Sequence, residues 1–214
     1  MNVQAILKKP FFSDPRTLLG LWILLGVISG PLKLPSNNFL MYRQVFWHVW
    51  NGTSLFAPYP DEYFDVNHYG PFFGLLIAPF AVLPDWIAIV CWNLTMTLCL
   101  YFAIKRLPSP EKLKIAIYWF CAHELLTALF MVQFNVLIAA IIVGTWVCIE
   151  KERDWLAALL IVVGTFVKLY GIVGLAFFFF SKHKRQLVLS LIGWGALAFV
   201  LPMIISSPQY IVGQ

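Results

Sequence analysis

The sequence SNNFLMYRQVFWHVWNGTSLFAPYPDEYFDVNHYGPFFGLLIAPFAVLPD, residues 36–85, interrupts a chain that is otherwise mostly apolar. It mixes aromatic side chains with polar and charged ones, among them Asn38, Arg43, His48, Asp61, Glu62, Asp65 and His68. Polar groups are costly in lipid, so a long polar segment in a hydrophobic protein is expected to carry functional residues. The alternative is an ordinary exposed connection between two spans. Loops of this length that serve only as connections are rare in compact folds.

The composition of the whole chain is that of a membrane protein. Of 214 residues 61% are hydrophobic and 12% charged, with a mean hydropathy of +0.81, whereas soluble domains have about 25% charged residues. The apolar runs are long, as in helices, and do not show the short alternating pattern of a barrel. The net charge of +5 comes from short loops between these runs, where basic residues indicate topology and not a nucleic-acid surface.

Seven apolar runs approach the length of about 20 residues that a membrane-spanning helix needs. They are Leu18–Leu32, Trp86–Ile104, Leu113–Val132, Phe134–Ile149, Trp155–Val167, Tyr170–Phe180 and Gln186–Ile205, of which the fifth and sixth are short. We therefore predict an all-α integral membrane protein, with residues 1–214 forming one bundle of about seven transmembrane segments. Interfacial helices are expected in its first outer loop, residues 35–85.

An eighth apolar run, Pro71–Leu83, decides the topology. If it does not cross the membrane, four basic clusters fall on one face, and they hold 12 of the 15 lysines and arginines. If it does cross, the N-terminal cluster with Lys8 and Lys9 lies opposite the other three. The positive-inside rule favours the first arrangement, which predicts a re-entrant or interfacial helix here.

The opposite face then collects residues 36–85, the break at Gln133–Asn135, the break at Lys168–Tyr170 and the end of the chain. Lys168 is 14 residues from Lys182, or about 21 Å along a helix, inside a hydrocarbon core about 30 Å thick. It must therefore extend to the interface, form an ion pair or face a wet cavity. Glu124 lies within an apolar run, so we expect it to face the bundle interior. There it is either a protonated or paired group that ties helices together, with Lys168 as one candidate partner, or a group that contacts substrate.

The outer face combines groups that suit one kind of chemistry. Aromatic faces and amides can bind a sugar ring, a lysine can bind a lipid phosphate, and a carboxylate at the water edge can accept a proton from a hydroxyl. The sequence has no phosphate-binding glycine loop, no HExxH and no GxSxG, which argues against nucleotide-dependent enzymes and the usual hydrolases. We expect no cofactor and no metal.

Several short motifs occur in a recognisable order. These are Asn38-Phe39-Leu40-Met41-Tyr42-Arg43, Asn51-Gly52, Leu55-Phe56, Tyr69-Gly70-Pro71, Leu76 to Pro84, Glu124-Leu125-Leu126-Thr127, Gln133-Phe134-Asn135 and Lys168-Leu169-Tyr170-Gly171. In this order and spacing the chain from Leu18 onward resembles glycosyltransferase family 87. The resemblance implies a GT-C-like multi-helix membrane fold and an inverting transfer of a hexose such as mannose. The donor would be a polyprenyl-phosphate sugar and the acceptor a glycan or glycolipid.

The resemblance also implies a location and a length. We expect a multi-pass protein of the bacterial cytoplasmic membrane, surrounded by membrane lipid, with a cytoplasmic N-terminus and a periplasmic or extracellular active face. Nucleic acid is not an expected partner, and the oligomeric state is left open. Members of the family are usually about twice as long, so we expect either the N-terminal part of a longer module or a shortened member.

The candidate site residues combine both lines of reasoning. The family's early acidic residue corresponds to Asn38, whose amide cannot act as a base, so Asp65, Glu62 or Asp61 would take that role. The candidate catalytic residues are therefore Asp65, Glu62 and Asn38. The candidate substrate-binding residues are Arg43, His68, Tyr69, Glu124, Gln133, Asn135, Lys168 and Tyr170.

Two other functions are compatible with the sequence. A transporter or lipid flippase would use Glu124 and Lys168 as an intramembrane charge pair, although the internal repeats of many transporters are not evident. A non-catalytic partner subunit would explain Asn38 in place of an acid.

Overall fold

A computed structural model describes residues 10–214, and Lys8 and Lys9 of the N-terminal basic cluster lie outside this range. The described part is all-helical and has no β-strand. Its α-helices are α1 (Pro15–Ser29), α2 (Asn37–Asn51), α3 (Pro71–Ala81), α4 (Asp85–Lys105), α5 (Glu111–Phe130), α6 (Asn135–Glu150), α7 (Asp154–Val167), α8 (Lys184–Val200) and α9 (Pro208–Gly213). Short 3₁₀ turns flank α1 and follow α8, and a 3₁₀ helix of 12 residues covers Leu169–Phe180.

The polar segment quoted above forms two helices and an irregular loop. Ser36 caps α2 by accepting a hydrogen bond from the Phe39 amide, and Gly52 ends it in the left-handed region at φ 68°, a position that favours glycine. Pro71 begins α3, where its missing N–H costs nothing. Residues 52–70 therefore connect two packed helices.

Hydrogen bonds between distant residues define two ends of the bundle. At what we call the loop end, Asn38 bonds to Met131, Lys168 to Asn135, and Tyr210 to Thr53. At what we call the basic end, the Tyr101 hydroxyl donates to the Pro15 carbonyl, the Trp119 indole to that of Phe12, and the Lys182 ammonium to Glu152. The helices α4 to α7 thus run alternately between an end that carries the polar loop and an end that carries the basic clusters.

An aromatic cluster lies directly beneath the loop end. Tyr42 of α2, Phe73 of α3 and Trp92 of α4 meet Phe134 of the turn between α5 and α6, with ring centroids 5.2 to 6.2 Å apart. All four side chains are buried. Because edge-to-face aromatic packing fixes relative orientation as well as distance, this cluster holds the polar loop against the loop end of the bundle.

Four helical segments are long and apolar enough to cross a membrane. They are Pro15–Lys33, Asp85–Lys105, Glu111–Phe130 and Lys184–Ile204. The other predicted spans also form helices, but α6 has 16 residues, α7 has 14 and the 3₁₀ helix has 12, so the count of seven is not confirmed. The segment with the disputed topology, α3, has 11 residues and is not among the four.

The segment that carries Lys168 is held by a contact between two backbones. Gly171, at the start of the 3₁₀ helix, lies against Gly164 of α7, and a Cβ atom on Gly171 would stand 2.1 Å from the Gly164 carbonyl carbon. A side chain at this position is therefore excluded by backbone. The contact folds the 3₁₀ helix back along α7 and leaves Lys168 at the corner between them.

The prediction that Glu124 faces the bundle interior is wrong. Its side chain is 84% exposed on α5, its nearest charged group is the neighbouring His123 at 3.7 Å, and Lys168 bonds to Asn135 instead. The reason is geometric: α5 packs on α1 and α4, its buried residues are Tyr118, Leu125 and Leu129, and Glu124 lies on another side of the helix from these residues.

Candidate functional site

A cavity of about 220 Å³ opens at the loop end of the bundle. Four separate segments of the chain form it, namely α2, the loop before α3, the turn between α5 and α6, and the corner after α7. Its lining residues are Asn38, Met41, Tyr42, Asp65, His68, Tyr69, Gln133, Phe134, Asn135 and Lys168. Seven of the eleven candidate site residues thus lie around one space.

Lys168 is positioned by a short chain of amides. Its ammonium donates to Asn135 Oδ1 over 2.8 Å, and Asn135 Nδ2 donates to Gln133 Oε1 over 3.1 Å. The Lys168 ammonium also lies 5.4 Å from the centre of the Tyr170 ring. In the described part of the chain no carboxylate forms an ion pair with Lys168, so its charge remains available to an anion.

The turn between α5 and α6 is tight. Val132 adopts φ 52°, an unfavourable conformation for a β-branched residue, and the Gln133 amide donates back to the Ala128 carbonyl over 2.8 Å. Asn38 closes the turn from α2 by donating from Nδ2 to the Met131 carbonyl over 2.8 Å. Asn38 therefore holds the wall of the cavity, and a carboxylate there would have no proton to donate.

Asn67 shapes the loop before α3 although it does not line the cavity. It is buried, donates to the carbonyls of Leu55 and Tyr69, and accepts from the Tyr69 amide. The Tyr69 ring in turn stacks on Phe73 with centroids 4.4 Å apart, and its hydroxyl donates to that of Tyr42 over 3.3 Å. Burial raises the pKa of the Tyr69 phenol, so this hydroxyl stays protonated.

Asp65 and His68 flank Asn67 and are both exposed at the cavity. One oxygen of Asp65 accepts a hydrogen bond from the Val66 amide over 2.8 Å, and the Asn37 side chain accepts from the Phe64 amide over 2.8 Å. These contacts fix the backbone on both sides of Asp65. The carboxylate keeps further acceptor positions free for a hydroxyl.

The remaining candidates lie elsewhere. Arg43 forms an ion pair with Asp85 and donates to the Leu83 carbonyl, so its guanidinium joins α2 to the turn after α3 and to the start of α4. Glu62 bonds to His48 over 2.9 Å. Tyr170 touches the site only through Lys168, and Glu124 lies on the outer side of α5.

Sequence reasoning missed Asn67 and Asn37, which hold the loop by backbone hydrogen bonds. The only signal in the sequence was that Asn67 lies between two candidate residues in a loop, where asparagine often bonds to neighbouring backbone.

The chemistry of the cavity is that of a site for an anion and a hydroxyl-rich ligand. One cation, three amides, one histidine and one carboxylate face a small space backed by aromatic rings. Within residues 10–214 no group of three or more potential metal ligands comes together. The ammonium, amide, imidazole and carboxylate groups that line the cavity are suited to direct hydrogen bonding and charge pairing.

Comparison with known proteins gives a family but no individual relative. The family model of glycosyltransferase family 87 matches residues 67–212, a range that contains His68, Gln133, Asn135 and Lys168 and begins two residues after Asp65. No curated protein and no solved structure matches the chain. A match over more than half of the chain shows the family, and the chain belongs to glycosyltransferase family 87.

Proposed function

We propose that this protein transfers a hexose, with mannose the first candidate, from a polyprenyl-phosphate donor to a hydroxyl of a glycan or glycolipid. Membership of the family implies glycosyltransferase activity. The observation that carries the finer proposal is the cavity itself. An unpaired lysine, a carboxylate and several amides from four segments meet there.

Each group has a role in this proposal. The Lys168 ammonium binds the donor phosphate and offsets the negative charge that grows on it as the bond to the sugar breaks. Asn135, Gln133 and His68 bind the sugar hydroxyls. Asp65 accepts the proton of the acceptor hydroxyl as that oxygen attacks the anomeric carbon.

The proposed reaction is a single displacement. The acceptor oxygen forms a bond to the anomeric carbon while the bond from that carbon to the phosphate oxygen breaks. The proton passes to Asp65 and the polyprenyl phosphate leaves with its charge paired to Lys168. Attack opposite the leaving group inverts the anomeric configuration, so Asp65 and Lys168 must act from opposite sides of the sugar.

The orientation follows from the charges at the two ends. We propose that the basic end, with Arg106, Lys151, Arg153 and Lys182, faces the cytoplasm and that the loop end faces the outside. The bundle would then cross the membrane seven times, with α6, α7 and the 3₁₀ helix as short spans and α2 and α3 lying at the outer interface.

The test is sugar transfer by purified protein in nanodiscs from radiolabelled polyprenyl-phosphate mannose, with Asp65→Asn beside Asp61→Asn. Removal of a general base lowers rates by about 10²- to 10⁴-fold, so Asp65→Asn should lose transfer by that factor. Asp61→Asn, exposed in the same loop but outside the cavity, should keep it. Equal activity of the two variants would refute Asp65 as the base.

If the protein does not transfer mannose, other polyprenyl-phosphate hexoses should be tested before the assignment as a hexosyltransferase is rejected. A protein that binds these donors and transfers none of them would be a non-catalytic family member. The transporter alternative depended on a Glu124–Lys168 pair, and Lys168 bonds to Asn135 instead, so no observation favours it.

A further inference from the structure

One side of α5 carries a regular stripe of uncovered residues. Leu113, Ala116, Phe120, His123, Thr127 and Phe130 follow one another at spacings of three and four, and all six are exposed. This spacing is that of the contact positions of a coiled coil, conventionally a and d. The stripe runs almost the full length of α5, which is among the least buried of the candidate spans.

The stripe contains an ionisable pair at membrane depth. His123 and its neighbour Glu124 are 85% and 84% exposed, with the imidazole Nδ1 3.7 Å from Oε1. Glu124 is 13 residues from the start of α5 and six from its end, or about 20 Å and 9 Å along the axis. Groups of this kind inside a membrane almost always face a protein or a wet cavity, because lipid solvates them poorly.

We propose that a second copy of this chain covers the stripe, so that the protein forms a parallel dimer through α5. The argument is self-complementarity. With His123 at a d position, Glu124 occupies the flanking e position of the same heptad. A two-fold axis along the membrane normal brings His123 of one copy beside Glu124 of the partner subunit, and the reverse, so that both pairs form at once.

The rest of the stripe fits such a contact. Ala116 lets the two helices approach closely near the basic end, as small residues do between membrane helices. Phe120 and Phe130 supply apolar surface on either side of the His123 layer. The Thr127 hydroxyl already donates to the His123 carbonyl of its own helix, so this donor needs no partner from the second copy.

Cross-linking in vesicles tests the geometry. The four native cysteines are free thiols and can be replaced by alanine, after which Phe120→Cys and Ile192→Cys are compared. Both residues are exposed, on α5 and α8, and each lies about 13 Å from the start of its helix. Oxidation should join two copies through position 120, where opposing residues come within disulfide distance, and not through position 192.

Equal cross-linking at both positions, or at neither, would overturn the proposal. A protein that stays monomeric at every protein-to-lipid ratio would also overturn it and would assign the stripe to some other membrane segment.

The ion pair is tested by energy transfer between labelled copies diluted in lipid. Glu124→Ala should raise the dissociation constant about three- to tenfold, the range expected for polar contacts between membrane helices. The exchanged variant His123→Glu with Glu124→His keeps both pairs in the dimer and should restore association, which a misfolded protein could not do. Loss of association in the exchanged variant, or no effect of Glu124→Ala, would contradict the pairing.

Discussion

The two ends of the bundle treat their charged groups differently. At the basic end, two acids are held by side chains of the protein: Glu152 accepts hydrogen bonds from Lys182 and His183, and one oxygen of buried Asp154 accepts a hydrogen bond from the Ser181 hydroxyl. At the loop end, Lys168 and Asp65 line one cavity and form no such pair, since amides and backbone hold them instead.

This difference separates charges that hold the fold from charges that are free to bind a ligand. A pair such as Glu152–Lys182 has already used its electrostatic attraction inside the protein. The Lys168 ammonium donates to the neutral amide of Asn135 and has no carboxylate partner within residues 10–214, so its charge is available to an anion. Changes at Lys168 and Asp65 should therefore alter transfer more than stability, and changes at Glu152 and Asp154 the reverse.

Among the variants that test this difference, Lys168→Met is expected to have the largest effect on transfer. The variant keeps most of the apolar stem and removes the charge, so transfer should fall about 100-fold, equivalent to about 2.7 kcal/mol of lost stabilisation. Binding of the polyprenyl-phosphate donor, measured by calorimetry in nanodiscs, should weaken in parallel.

Lys182→Met is the matched control at the basic end. It also removes a lysine ammonium, but one that is already bonded to Glu152. Donor binding should be unchanged. Retained donor binding in Lys168→Met would remove the proposed phosphate role.

Asp154→Ala should destabilise the fold by about 2 kcal/mol, because it leaves the buried Ser181 hydroxyl without its acceptor. The readout is thermal unfolding in detergent micelles, together with transfer at a temperature where both proteins are folded. Transfer should be unchanged. The double variant with Ser181→Ala should lose less than the two single losses combined, and strict additivity would show that the two groups do not interact.

Asn38→Asp tests an amide at the loop end that stabilises the turn between α5 and α6. The carboxylate cannot donate to the Met131 carbonyl, so the variant should lose about 1 to 2 kcal/mol of stability and gain no transfer activity. Asn37→Asp is the control, because Asn37 acts as an acceptor for the Phe64 amide and aspartate keeps that role. Higher transfer by Asn38→Asp would show that position 38 supplies the base.

The smallest effect is expected at Glu152, an exposed carboxylate. Hydrogen bonds from Lys182 and His183 hold its pKa below the ordinary range. The carboxylate therefore stabilises the fold at neutral pH, and this contribution is lost as the pH falls through the lowered pKa. The melting temperature of wild type should slightly exceed that of Glu152→Gln at pH 7, and the gap should close in acid and in high salt.

The membership of the cavity was largely predictable from the sequence. Polar residues such as Gln133, Asn135 and Lys168 are conspicuous at breaks between apolar runs, and the distribution of basic residues assigns those breaks to one face. Neither signal depends on knowing which helices pack together.

What the sequence could not predict has a different cause. The cost of a carboxylate in lipid predicts an interior position for Glu124, but α5 is apolar on most sides and its sequence cannot tell which side meets α1. The ion pair of Arg43 was equally hard to predict, because its partner Asp85 lies 42 residues away, beyond a loop and a helix whose arrangement the sequence does not specify. The 3₁₀ form of residues 169–180 depends on the contact with α7, which is equally non-local.

The contact between Gly164 and Gly171 bears on the lipid around the protein. Backbone packs against backbone and leaves no room for a side chain at the corner, so the Lys168 backbone is held at one depth relative to the bundle. A phosphate carried on a polyprenyl chain instead follows the headgroup plane, which lies farther out in a thicker bilayer. For the donor proposed above, the match between its phosphate and Lys168 would thus depend partly on bilayer thickness, so the rate of transfer would vary with the host membrane.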